Sequence, residues 1–210
     1  MDKAANIRWT IARRRRRAAL LLPTLLVVGS PLAAQGVDPG ELKEAMAVRF
    51  SGGAIRVDGR LDDSAWGQAV FFSDFRQRDP VYGAQPSDRT EVAFLYDDAA
   101  IYVGARMHSS EPDRIPASLT RHDGFGRAEH LTVSFDPFLD RRTAFSFTVT
   151  SGNGRRDFVH TSDSDDFRSR DYTWNPVWEG KAVRDSLGWT LEMRIPLSQL
   201  RFPGQPVHVW

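Results

Sequence analysis

An antiparallel β-sandwich of the jelly-roll type is the fold that this 210-residue chain predicts. Three observations point to it. Apolar residues alternate at period 2 in a succession of short runs. No helix-period pattern reaches ten residues after Ile55. Long polar connections rich in Asp, Gly and Pro separate the runs. Crossover helices are missing, which argues against a parallel α/β sheet. No fixed internal period is visible, which argues against a propeller or solenoid.

Residues 1–34 stand apart from this pattern. Lys3, Arg8 and the run Arg13 to Arg17 make seven basic residues against one acid, Asp2, a net charge of +6. The apolar stretch Ala18 to Val28 follows, and at 11 residues it is too short to span a hydrocarbon core of about 30 Å. Small residues come next in Ser30-Pro31-Leu32-Ala33-Ala34. This is the layout of a secretory signal peptide. A basic arm for nucleic acid or membrane is the alternative, and the uninterrupted apolar run argues against it. The five arginines leave a twin-arginine route open. The remainder carries 21 basic and 26 acidic residues, a net −5, so an exported body would repel phosphate backbones and no nucleic-acid partner is expected. The chain has no Cys, so burial and hydrogen bonds rather than disulfides must hold it.

Residues 35–53 read as a linker. Val37-Asp38-Pro39-Gly40 is a turn signal. Residues 54–210 read as the sandwich. Ile55 and Val57 before Asp58-Gly59 suggest a strand entering a turn, and Asp62 to Trp66 a short helical turn capped by an Asp. Thr90–Tyr96 and Ile101–Met107 alternate on both sides of Asp97-Asp98-Ala99-Ala100, a specific hairpin signal. Further strands are expected at Leu131–Phe135, Ala144–Val149, Val177–Val183 and Trp189–Ile195, with a helical turn at Pro196–Leu200. The ending Pro206-Val207-His208-Val209-Trp210 resembles the start of another strand, so the natural protein is expected to continue.

Few residues point to catalysis. The five His show no metal-ligand spacing, and HExxH, GxSxG, phosphate-loop and GxGxxG motifs are absent. The loop from Gly152 to Tyr172 holds Asp163, Asp165 and Asp166, which could supply oxygens to calcium. Interleaved arginines give the alternative of a solvated loop with exposed ion pairs. Among six Trp, Trp66 and Trp189 fit core positions. Trp174 and Trp178 lie around Asn175-Pro176, where flat rings could stack on a sugar while Asp157, Asn175 and Glu179 orient its hydroxyls. Sealing one end of the sandwich is the equally open alternative. Tyr82 and Phe125 are weaker stacking candidates.

Four segments, in order, resemble family 9 carbohydrate-binding modules. They are Ile55-Arg56-Val57-Asp58-Gly59-Arg60-Leu61-Asp62-Asp63-Ser64-Ala65-Trp66, then Thr90 to Arg106, Glu129 to Pro137, and Gly188 to Leu200. A position usually acidic in the family, ahead of the third strand, is Glu129 here. The resemblance implies a jelly-roll sandwich, an exported bacterial setting, sugar held between aromatic rings, and structural calcium in some members. It also implies association with glycoside hydrolases and carbohydrate catabolism. Gln77-Arg78-Asp79-Pro80 and Leu200-Arg201-Phe202-Pro203 resemble a subgroup that precedes a C-terminal outer-membrane barrel-like region. The expected function is therefore an exported, non-catalytic carbohydrate-binding module, located in the periplasm, at the outer membrane or outside the cell. The rivals are a structural periplasmic module of an outer-membrane protein and a glycoside hydrolase.

Overall fold

The computed structural model describes residues 43–124, 126–162, 167–204 and 208–210. They form nine strands and four 3-10 turns, with no α-helix among the described residues. The strands are β1 (Ala47–Arg49), β2 (Thr90–Tyr96), β3 (Ala100–His108), β4 (His130–Phe135), β5 (Ala144–Thr150), β6 (Arg155–His160), β7 (Arg170–Asp171), β8 (Glu179–Asp185) and β9 (Gly188–Pro196). One sheet has the order β1-β2-β3-β9-β8, and the other β4-β5-β6-β7.

Alternation along each strand builds the core. Val92 and Phe94, Val103 and Ala105, and Trp189, Leu191 and Met193 face Leu131, Val133, Phe135, Phe147 and Val149 of the opposite sheet. Phe94 meets Phe135 edge-on at 6.3 Å between ring centres, and Phe147 meets Trp178 in the same way at 5.2 Å. Each buried aromatic adds area and a preferred edge geometry.

Two expectations are corrected at the N-terminal edge. Residues 47–49, placed in the linker by sequence, are β1. It pairs parallel to β2, with Ala47 beside Phe94, so the sandwich is antiparallel except at this edge. Ile55–Val57 is not a strand. The run from Phe50 to Ala69 instead lies over the outer face of the larger sheet. There Phe50, Ile55, Ala65 and Trp66 bury Leu95, Ala100 and Tyr102. That is why β3 is buried along nearly its whole length despite lying in a two-layer sandwich. The helical turn expected around Trp66 is a 3-10 turn, Ser64–Gln68, and Asp63 at its N-cap makes no side-chain capping bond. The Asp63 carboxylate accepts from the Arg56 amide instead, at 2.8 Å.

Three buried indoles each donate to a carboxylate. Trp66 Nε1 bonds Glu192 Oε1 at 2.8 Å, Trp178 Nε1 bonds Asp157 Oδ1 at 2.7 Å, and Trp189 Nε1 bonds Glu129 Oε2 at 3.0 Å. A buried indole N–H without an acceptor would be costly. Each acid therefore lets a large ring sit inside the fold.

Candidate functional site

The site forms where β6 of the smaller sheet approaches β8, the free edge of the larger one. The loop between β3 and β4 reaches this region and is tied to it. Asp123 N donates to the Arg155 carbonyl at 3.0 Å, and Asp157 N donates to Asp123 Oδ1 at 3.3 Å. Asp123 has φ 59°, a left-handed conformation that Asp tolerates better than most residues. The turn carries His122 onto Asp157. His122 Nδ1 lies 3.1 Å from Asp123 Oδ2, and Nε2 lies 3.3 Å from Asp157 Oδ1.

His122, Asp123 and Asp157 place one ligand atom each within 4.8 Å of one another, a nitrogen-and-oxygen set of the kind divalent metals accept. In the arrangement present, both ring nitrogens already face carboxylates. Burial pushes the Asp157 carboxyl upward, opposed by the Trp178 indole and by His122.

The sequence-predicted residues separate into two groups. Trp174 is half-buried, with its ring 5.1 Å from Phe145 and 5.5 Å from Phe147. Trp178 is only 4% exposed. The two indoles pack about Phe147 instead of presenting a pair of faces to solvent. The stacking role expected of Trp178 is therefore corrected, and for a definite reason. Arg155 lies over its ring at 5.6 Å, Phe147 closes on it, and Gly180 leaves the space its six-membered ring fills. Asp157 is fully buried and holds Trp178, so it does not reach a ligand hydroxyl. Sealing the sandwich, the open alternative, describes Trp178, while Trp174 stays half-buried against Phe145 and Phe147. Asn175 and Glu179, by contrast, are exposed. Tyr82 is 80% exposed but lies in a separate loop. Asp163, Asp165, Asp166 and Phe125 lie outside the described residues.

Two adjoining clefts share Arg155 as a common wall. One, of about 290 Å³, is lined by His122, Arg155, Asn175, Pro176, Val177 and Trp178. The other, of about 280 Å³, is lined by Val57, Asn153, Arg155, Glu179, Gly180 and Lys181. Sequence reading missed Arg155, Lys181, Asn153 and Gly180. Their roles come from pairing between β8 and the hairpin at Asn153, which are 29 residues apart. Asn153 uses its whole amide on the β8 edge: Nδ2 donates to the Ala182 carbonyl at 3.0 Å, and Ala182 N donates to Oδ1 at 2.8 Å. Arg155 Nη1 donates to the Trp178 carbonyl at 2.6 Å.

No protein-family model matches the chain, and no curated protein matches it. Among solved structures it is similar to a family 9 carbohydrate-binding module from Caldicellulosiruptor kristjanssonii in complex with glucose. Identity is 19%, 76% of this chain and 73% of that chain are covered, and the TM-score is 0.48. It is also similar to a family 9 module of that organism in complex with cellotriose, at 18% identity, 77% and 70% coverage and a TM-score of 0.45.

Proposed function

We propose that this chain is an exported, non-catalytic carbohydrate-binding module that takes a glycan in the paired clefts about Arg155. The observation that carries the reading is the lining of those clefts. Arg155, Asn175, Glu179 and Lys181 gather hydrogen-bonding groups of both kinds at one rim. Sugar recognition needs such convergent donors and acceptors, because each ring hydroxyl has a fixed direction. The four-segment resemblance and the export-like layout of residues 1–34 agree with it. Stacking by Trp178 is not part of this reading.

Burial of Trp178 favours a second reading, a structural module of an outer-membrane protein with no glycan affinity. Isothermal calorimetry of the full chain against a panel of neutral and acidic oligosaccharides separates the two. Saturable heat with at least one class is expected. No heat with any member overturns the binding reading and leaves the structural one.

A further inference from the structure

We infer that the preferred ligand is an acidic sugar, a uronic acid residue whose carboxylate sits between Arg155 and Lys181 at the β8 edge. This rests on the glycan-binding reading above and narrows it to a substrate class.

The argument begins with the edge itself. The register of β8 against β9 pairs Asp185 with Gly188 across a two-residue turn, and alternate pairs then follow, Gly180 opposite Met193 and Ala182 opposite Leu191. In such a hairpin Asp185 and Gly188 exchange ladder bonds, so Gly180 and Ala182 turn their N–H and C=O groups away from β9. Ala182 confirms the direction, since Asn153 takes both of its groups. The Trp178 carbonyl is taken by Arg155. Gly180, between them, is left with its amide N–H and carbonyl facing the 280 Å³ cleft that it lines. An open strand edge invites another strand. Here the groups on either side of Gly180 are already clipped by Asn153 and Arg155, so an incoming peptide would find no continuous ladder. A compact ligand that needs one donor and one acceptor fits instead. At about 280 Å³ the cleft lies just below the volumes typical of small-molecule pockets, about 300–1,000 Å³, a size suited to one sugar ring.

Charge then selects the ligand. The carboxylates near the clefts are engaged elsewhere, although His122 serves both Asp123 and Asp157, and Asp157 Oδ2 has no hydrogen-bond partner among the described residues. Glu179 faces Arg194 at 3.5 Å, Asp157 is held by Trp178 and His122, and Asp123 by His122 and the Asp157 amide. Among the described residues, no carboxylate lies within ion-pair distance of Arg155 or Lys181. Arg155 spends one of its donors on the Trp178 carbonyl, and Lys181 stands exposed on β8. Two cations outside ion-pair distance of the described carboxylates, beside a free amide N–H, offer an anion cradle, and guanidinium suits a planar carboxylate. The Gly180 carbonyl and Glu179 remain as acceptors for ring hydroxyls.

The test uses the full chain and calorimetry with oligogalacturonate, oligoglucuronate and neutral oligosaccharides of matched length, at low and high salt. Lys181→Met and Arg155→Gln are compared, with a thermal melt confirming that each variant folds. The Lys181 side chain is exposed and makes no hydrogen bond or ion pair among the described residues, so Lys181→Met remains informative if Arg155→Gln fails to fold. Uronate binding that weakens with salt, and about tenfold or more in Lys181→Met, is expected. Neutral sugars bound as tightly, or uronate binding untouched by Lys181→Met, overturn this inference while the glycan reading stands. No binding of any glycan removes both.

Discussion

The indole N–H of Trp66 donates to Glu192 Oε1 at 2.8 Å across 126 residues of sequence. The other oxygen of the same carboxylate accepts the amides of Asp58 and Gly59, both at 2.9 Å. Thr190, two residues earlier on β9, donates its hydroxyl to the Gly59 carbonyl at 2.7 Å. Gly59 has φ 91°, and a Cβ there would lie 2.9 Å from the Ala182 carbonyl carbon. The Asp-Gly of the opening segment thus docks on the last hairpin, and Glu192 is the fully buried anchor. The resemblance segments at Ile55–Trp66 and Gly188–Leu200 are joined by this contact, which makes them carriers of the fold.

Trp66→Phe is expected to destabilise the chain by about 1–3 kcal/mol, because Glu192 keeps its burial and loses a donor. Burial already pushes the Glu192 carboxyl upward, against the pull of Trp66, Gly59 and Asp58. Removing the indole raises it further. A carboxyl raised on folding contributes stability below its unfolded pKa and loses it as pH rises through the folded value. The penalty of Trp66→Phe should therefore be largest near neutral pH. On acidification through the carboxylate range it should shrink to the packing difference alone. Urea denaturation of both proteins over that range measures it. A penalty that grows on acidification would contradict the anchor.

Trp178→Ala should cost about 3–5 kcal/mol by opening a cavity against Phe147 and stranding Asp157. The milder Trp178→Phe should cost less and leave the protein folded. Glycan affinity, measured on the folded Trp178→Phe variant, should fall less than in Arg155→Gln, since the ring packs on Phe147 and acts on the cleft through Arg155. A large loss of affinity with unchanged stability would restore a stacking role.

Much of the fold was legible in the sequence, because a half-buried strand writes its period directly into residue order. Thr90–Tyr96, Ile101–Met107, Leu131–Phe135 and Trp189–Ile195 all fall within strands. What escaped was set by contacts remote in sequence. Ile55 and Val57 alternate like a strand, yet their segment packs as a cover over the larger sheet. β1 is three residues long and has no pattern of its own. In the candidate site, Asn175 and Glu179 were legible as polar residues beside aromatics. The burial of Trp178 was not, because it depends on Gly180, Arg155 and Asp157 converging from two sheets.

Gly104→Ala should destabilise by about 1–3 kcal/mol through overpacking. A Cβ on β3 at that point would stand 2.6 Å from Trp66 Cζ3 and 2.9 Å from Leu61 Cδ2. Thermal unfolding checks it. An unchanged midpoint would show that Trp66 does not pack on this strand.

Asp97 closes the β2–β3 hairpin by accepting the amides of Ala99 at 2.8 Å and Ala100 at 2.7 Å, with the Tyr102 hydroxyl at 3.1 Å. Burial alone would raise its carboxyl, but these donors hold it below its ordinary value. A carboxyl lowered on folding contributes stability above its unfolded pKa and loses it as pH falls through the folded value. Asp97→Ala should thus cost about 0.5–1.5 kcal/mol near neutral pH and progressively less in acid. A pH series of urea midpoints reads the difference.

The most direct measurement is a titration of the isotopically labelled chain with uronate oligosaccharides, followed by the backbone amide of Gly180. The account predicts a saturable shift of that amide together with Lys181 and the Arg155 side chain. Shifts confined to residues away from the β8 edge, or no shift at any glycan concentration, would contradict it.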